Sequence, residues 1–483
     1  MVKAELVFVP SPGFGHLVST VEMAKLLIDR DPHVSITLLI MKPPYVSHSG
    51  IDDRTRSLAN SMAARFRFVH LPDVGPISET NPSKTRDLYV ESYKPHVREA
   101  IARLTEPGSG QDSPRLAGLV VDMFCTTMID VANELRVPSY VFFTSSAAFL
   151  GLMFHLQRQR DEQGIDSTEF RNSDTELDFP IFANKLPAKV LPTAYLVKEA
   201  APAYIGHARR FRETKGIFVN TFAELEAHVL ESLVDDMIPP VYPVGPILNL
   251  TRSTGGPGPS NGLEIMKWLD NQPRSSVVFL CFGSRGSFDA DAVREFATAL
   301  ERCGHRFLWS LREPPPKGKV GTPRDYANLE EILPEGFLDR TVKIGKVIGW
   351  APQVDILAHP AVGGFVSHCG WNSTLESIWF DVPIAGLPLY AEQQFNAFEM
   401  VVELDLAVEI KMEYRRDVRI QSETRVTAEE IERGIRQVME IDSARRKKVK
   451  EMSEKSRKAL DEGGSSCSSL RRLIGDIFNN MPR

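Results

Sequence analysis

Short apolar runs rich in Val, Ile and Phe alternate with stretches of helical period along the whole chain. In the first half, Leu6–Val9, Ser35–Leu39, Phe66–His70, Gly118–Asp122 and Ser139–Phe143 read as buried strands. A strand covered on both faces loses the in-out alternation and becomes continuously apolar. Thr20–Asp29, Val90–Leu104 and Met128–Arg136 carry the 3.6-residue period and read as helices between them. The rhythm restarts after Leu263, with strands at Val277–Phe282, Arg306–Leu311, Val347–Gly349, Gly364–Ser367 and Pro383–Gly386 and helices at Asp289–Cys303, Asn372–Phe380 and Gln393–Val402. Between the halves, Val244–Gly262 is rich in Gly, Pro, Ser and Asn and reads as a linker.

Strand-then-helix repetition predicts an α/β fold of two doubly wound, Rossmann-like parallel-sheet domains. The expected division is 1–244, a linker at 245–262, and 263–464. Such sheets take their ligands beyond the carboxyl ends of the strands, so the natural site is a cleft faced by both sheets. Pro314–Asn328 and Glu413–Arg425 read as exposed, charged loops.

Composition narrows the function. The 483 residues carry a net charge of −6, which argues against a nucleic-acid partner. No apolar run of about 20 residues is present to span a bilayer, so no stable membrane insertion is expected. The five cysteines are scattered, with no CxxC pair, as expected of free thiols in the cytoplasm. Gly13-Phe14-Gly15 begins a dinucleotide fingerprint, but Val18 stands where its third Gly belongs and no acidic residue closes the second strand.

The densest chemistry lies in Trp350–Gln393, WAPQVDILAHPAVGGFVSHCGWNSTLESIWFDVPIAGLPLYAEQ. Trp350 offers an aromatic surface for a base. Gly364–Ser367, then His368 to Ser373, reads as strand, turn and helix start, where backbone N–H groups make an anion site. His368 and Ser373 add side-chain donors there. Glu376 lies one turn later, and Glu392 and Gln393 pair a carboxylate with an amide at the segment's end. The Gly-rich Phe282–Ser287 allows close backbone approach to a ligand.

This segment resembles the plant secondary product glycosyltransferase box, which identifies family 1 UDP-sugar-dependent glycosyltransferases with the two-domain GT-B fold. The resemblance implies that Trp350 meets the uracil, that Ala351 is a further donor contact, and that Gln353 and Glu376 hold the nucleoside and its ribose. It assigns Ser284, His368, Asn372 and Ser373 to the diphosphate, and Trp371, Glu392 and Gln393 to the sugar. Gln at the last position goes with glucose donors. Arg285 departs from the family, which more often has an uncharged residue there; it could add a phosphate contact or be merely exposed. In this family the last helix, here 465–480, crosses back onto the N-terminal domain. No DxD metal motif is present, so neither a metal nor another cofactor is expected, with UDP-glucose serving as co-substrate.

His16 follows the Pro12–Gly15 turn and Asp122 ends a strand, so both are expected at carboxyl edges. A His suits removal of an acceptor proton, and a carboxylate on its other nitrogen would orient it. In the family the corresponding residues play these roles, in a direct displacement that inverts the anomeric carbon; Thr144 is a further sugar or phosphate contact by similarity. Phe14, Phe124, Phe149, Met153, Tyr204 and Tyr390 are candidates for an apolar acceptor pocket, though each could equally be core. The expectation is a monomeric enzyme that glucosylates a hydroxyl of a flavonoid, another phenolic or a terpenoid. The rival reading is a catalytically silent UDP-sugar-binding protein acting as sensor or partner.

Overall fold

The computed structural model describes residues 3–42, 65–75, 82–104, 114–250, 259–316, 321–417, 419–420 and 424–482; the side chains at 14, 82–84 and 259–261 also lie outside the description. The chain forms two compact units. The first comprises Met1–Thr168, Lys198–Asn249 and Lys458–Arg483, the second Glu169–Val197 and Leu250–Arg457.

In the first unit seven strands form one parallel sheet: β1 (Ala4–Val9), β2 (Val34–Ile40), β3 (Phe66–His70), β4 (Arg115–Asp122), β5 (Ser139–Phe143), β6 (Ile217–Val219) and β7 (Val241–Pro243). Their order is β3-β2-β1-β4-β5-β6-β7. Every residue of β1 is buried, which explains the continuous apolar run Leu6–Val9; the one charged residue, Glu5, accepts the Thr37 hydroxyl. The chain winds outward from β1 in one direction and from β4 in the other, so the switch point lies at their shared edge. The pairing Phe8↔Val120 and Val9↔Val121 leaves both carboxyl ends level there.

Helices α1 (Phe14–Arg30), α2 (Pro82–Ser92), α3 (Ala147–Gln163) and α4 (Ala201–Phe211) belong to this unit. The expected helix at Val90–Leu104 is two helices, broken at Tyr93 just before Lys94–Leu104 begins with Pro95 in its first turn. The C-terminal helix Ser465–Asn480 lays Leu470, Leu473, Ile474 and Ile477 into the same core as Leu6, Phe8, Tyr140 and Tyr242. The Tyr242 hydroxyl also donates to Asp476 at 2.6 Å.

The second unit repeats the design with β8 (Val277–Cys281), β9 (Arg306–Ser310), β10 (Gly345–Ile348), β11 (Val362–Ser367), β12 (Ile384–Gly386) and β13 (Ala407–Glu409). The order β10-β9-β8-β11-β12-β13 puts the switch point between β8 and β11, where Cys281 pairs with Ser367. Its helices include α5 (Ala290–Cys303), α6 (Trp371–Trp379), α7 (Gln393–Phe398) and α8 (Ala428–Met439). The helix expected over Gln393–Val402 ends as α7 and continues as one π-helical turn, Glu399–Glu403.

Three sequence expectations need correction. Glu169–Val197, placed in the first half, packs in the second unit. The Phe182 ring lies 5.1 Å from that of Phe395 and 5.4 Å from that of Phe398, and Glu403 accepts the N–H groups of Ala183 and Asn184. The loop at Glu413–Arg425 is not simply exposed, because Arg415 is buried and donates to the Thr193 hydroxyl and to the carbonyls of Lys189 and Leu191. Of the expected linker, 251–258 lies outside the described residues, and Pro259–Asp270 is a helix.

Leu473 is fully buried. Leu473→Ala should lower the unfolding free energy of the first unit by about 2–5 kcal/mol, read from the denaturant midpoint. An unchanged midpoint would mean that the C-terminal helix adds nothing to that core.

Candidate active site

β1 delivers the chain to Ser11-Pro12-Gly13, and α1 begins at once, so His16 lies in its first turn. Asp122 is the last residue of β4 and is buried. The switch point brings the two together: His16 Nδ1 is 2.8 Å from Asp122 Oδ2. The other carboxylate oxygen accepts the N–H of Phe124 at 3.0 Å, which holds the carboxylate in one rotamer. Thr144, just beyond β5, places its hydroxyl 3.2 Å from the same His16 nitrogen and donates to Met123 Sδ. An ionised Asp122 can only accept, so the network puts the imidazole proton on Nδ1 and leaves Nε2 as the basic atom. The His16 side chain is 29% exposed and that of Asp122 0%, so the base is accessible and its orienter is not.

Of the acceptor candidates, Phe124 and Tyr204 join this pair. The Phe124 ring is 5.5 Å from His16 and 5.7 Å from Tyr204. Phe149 and Met153 lie in the core instead, the alternative the sequence left open. They are on the buried face of α3, where the Phe149 ring meets Phe143. The Phe14 side chain lies outside the described residues.

No spacing or motif announces the polar group behind Phe124. The Arg86 guanidinium lies 3.9 Å over that ring. Buried His207 shares its Nδ1 with the Thr126 hydroxyl at 2.8 Å and faces Asp87 across 3.6 Å. Burial holds the His207 pKa below its ordinary value. These residues come from α2, α4 and the turn after β4, too far apart in sequence for any spacing to link them.

In the second unit the loops after β8, β11 and β12 gather at one sheet edge. His368 follows β11 and is buried between two glycines. A Cβ on Gly283 would lie 2.6 Å from His368 Nε2, and one on Gly370 2.5 Å from the same atom. Gly283 also has φ +72°, so both packing and backbone demand glycine there. Burial lowers the His368 pKa to about 4, so the ring is neutral at pH 7. Its Nδ1 has no hydrogen-bond partner among the described residues. Next to it, α6 starts at Trp371 with Gly370 as an N-cap that has no side chain to satisfy the first N–H groups.

Gln353 ties Ser373 and Glu376 together. Its amide nitrogen donates to Ser373 Oγ at 2.8 Å and to Glu376 Oε2 at 2.6 Å. Burial raises the Glu376 pKa to about 7, and the Gln353 contact opposes that shift. Trp350 is partly exposed, so its ring is not a core side chain; its backbone N–H is fixed by Asp325 at 2.9 Å. Ala351 and Trp371 are buried and Asn372 is partly buried.

Gln393 Oε1 accepts the N–H groups of Leu389 and Tyr390 at 2.9 and 3.1 Å. Its carbonyl therefore folds the turn that carries Tyr390 and Glu392, both partly buried. Asn396 ties α7 to the His368 turn by donating to the Cys369 carbonyl at 3.0 Å. Ser284 and Arg285 are exposed on the loop after β8.

Residues 205–468 match the family model described as UDP-glucoronosyl and UDP-glucosyl transferase. The chain belongs to this family. It is 56% identical over 487 residues to UDP-glucose flavonoid 3-O-glucosyltransferase 6 of Fragaria ananassa, covering 99% of each chain. Among solved structures it is similar to a UGT transferase from Siraitia grosvenorii in complex with UDP. That match has a TM-score of 0.88 and 51% identity, and covers 99% of this chain and 100% of the other. It is also similar to Medicago truncatula UGT71G1 complexed with UDP-glucose, with a TM-score of 0.86, 42% identity and 98% of each chain covered. The two parallel sheets are those of the GT-B transferases, and the chain is a UDP-glycosyltransferase.

The raised pKa of Glu376 makes stability depend on pH. The folded unit keeps this proton up to about pH 7, whereas an unfolded chain releases it near the ordinary pKa of 4.5. Between those values the folded state binds more protons, so this group's contribution to stability falls as pH rises. Glu376→Gln should remove a decline on the order of 1–3 kcal/mol across that window. Denaturant melts of both proteins from pH 4.5 to 7.5 would check this (pH values about one unit apart suffice). Parallel curves would show that the carboxylate is ionised throughout.

Proposed function

We propose that the protein transfers glucose from UDP-glucose to a hydroxyl of a small apolar plant metabolite, a flavonoid, another phenolic or a terpenoid, to give a β-O-glucoside and UDP. The observation that carries the mechanism is the 2.8 Å contact between His16 Nδ1 and Asp122. His16 Nε2 takes the acceptor proton as the acceptor oxygen forms its bond to the anomeric carbon. The bond from that carbon to the β-phosphate oxygen breaks on the opposite side, and the electron pair leaves with UDP. The configuration therefore inverts. Asp122 stabilises the imidazolium that forms, without itself taking the proton.

On the donor side, Trp350 meets the uracil, Gln353 and Glu376 the ribose, and Ala351 is a further donor contact. The start of α6, with His368, Asn372, Ser373 and Ser284, receives the diphosphate as its charge grows. Thr144 is a further contact to the sugar or phosphate. Trp371, Glu392 and the amide of Gln393 read the sugar. Glucose is favoured by Gln393 and by the relatives, one named a UDP-glucose flavonoid 3-O-glucosyltransferase and one solved with UDP-glucose. The acceptor rests against Phe124 and Tyr204, and Tyr390 is a further candidate contact.

Transfer is proposed to be independent of a metal ion. The five cysteines are buried and free, which supports work in the reducing cytoplasm. No helix among the described residues is long and apolar enough to cross a membrane. The protein is proposed to act as a monomer.

UDP release tests this reading, with UDP-glucose, UDP-galactose and UDP-glucuronate offered against a panel of phenolic and terpenoid aglycones. Turnover should be greatest with UDP-glucose and should fall about 100-fold or more in His16→Ala. Preference for UDP-galactose would overturn the role of Gln393. Normal turnover in His16→Ala would remove the proposed base. UDP-glucose binding without turnover on any aglycone would favour the silent binder.

A further inference from the structure

A diphosphate brings about two negative charges to the second unit, and the charge already present there is acidic. The three loops at the β8/β11/β12 edge, 283–287, 367–376 and 387–393, contain Glu376 and Glu392 and a single cation, Arg285. His368 does not supply a second one, because its buried ring is neutral at pH 7. Two arginines of neighbouring segments are already committed. Arg312 pairs with Asp325 at 3.0 Å and Arg416 with Asp289 at 2.6 Å.

Arg285 differs from both. Its side chain is exposed, and no hydrogen bond or ion pair engages it among the described residues. The loop that carries it is held close to the anion site. Gly283, two residues earlier, has no room for a Cβ because of the His368 ring, and a Cβ on Gly286 would lie 2.1 Å from the Phe282 carbonyl. The charge of Arg285 also reaches Tyr390, where it opposes the rise that burial imposes on the phenol. The cation therefore lies within electrostatic reach of the turn that carries Tyr390, Glu392 and Gln393.

We propose that Arg285 is the cationic ligand of the donor's diphosphate, a contact that the uncharged residue more usual at this position would not make. The inference rests on the donor-site reading above. Arg285 is a fork of donors suited to phosphate oxygens, and a charge-assisted hydrogen bond from it complements the neutral donors of His368, Ser373 and the α6 start. With this charge supplied by the protein, the leaving diphosphate is neutralised at the site itself.

Titration calorimetry of UDP and of uridine, at low and at high salt, separates the inference from the reading beneath it. The parent should bind UDP more tightly than uridine. In Arg285→Met, which keeps the length and removes the charge, UDP affinity should fall about tenfold to a hundredfold. Uridine affinity should stay as in the parent, and the weakening of UDP binding by salt should be shallower. Arg285→Lys should recover part of the loss. If Arg285→Met keeps the parent's ratio of UDP to uridine affinity, the inference fails and the donor site stands. If the parent itself does not prefer UDP to uridine, the donor-site reading fails and the inference falls with it.

Discussion

The parallel pairing of β1 with β4 is the constraint on which the chemistry of the first unit depends. It ends both strands at one level, so the helix that follows one and the carboxylate that closes the other meet at 2.8 Å. A shift of one residue would turn Asp122 to the other face of the sheet, because strand side chains alternate. The register is well protected. β1 is buried along its whole length, and the C-terminal helix packs on the same core. The distance between His16 and Asp122 is thus secured by apolar packing away from the pair itself. The pairing of β8 with β11 does the same in the second unit, bringing the glycine loop against the His368 ring.

The donor loops keep polar groups in places where burial penalises their charge. The folded protein tolerates this because the charged forms are avoided, His368 staying neutral and Glu376 holding a proton up to about pH 7. A ribose whose hydroxyls donate to Glu376 would favour the ionised carboxylate, so binding and proton release at this residue are coupled. Gln353 already leans on that carboxylate and on Ser373. Gln353, Ser373 and Glu376 are therefore held in one arrangement by the protein's own hydrogen bonds.

Much of this was legible in the sequence. Two sheets could be read because continuous apolar runs recur at α/β spacing, and Phe66–His70 and Ser139–Phe143 coincide with observed strands. His16 and Asp122 could be paired because each directly follows or ends such a run. The three-residue strands at Ile217–Val219, Val241–Pro243 and Ala407–Glu409 were not legible, since runs so short carry no period. Nor could the sequence separate Phe124 from Phe149. Both are aromatic residues after a strand, and only the packing of α3 sends Phe149 into the core. The double use of Gln393, with its oxygen spent on Leu389 and Tyr390, depends on a turn whose geometry no motif announces.

The segment Glu169–Val197 was misassigned for an instructive reason. It contains no strand of either main sheet, so it gives no rhythm by which to place it. Its allegiance is set by a few contacts of large yield. Phe182 meets Phe395 and Phe398, and each buried aromatic ring removes on the order of 150–250 Å² from water. Arg415 satisfies two backbone carbonyls and a hydroxyl of the segment, and leaving that buried guanidinium unpaired would be costly. Phe395 lies on α7, the helix that begins with Gln393. The segment is thereby fastened to the element that carries the proposed sugar reader. A substitution that moves Phe182 must either open a cavity beside α7 or shift the helix to fill it. On the proposed role of Gln393, selectivity for the sugar is open to change from a segment that itself need never touch the donor.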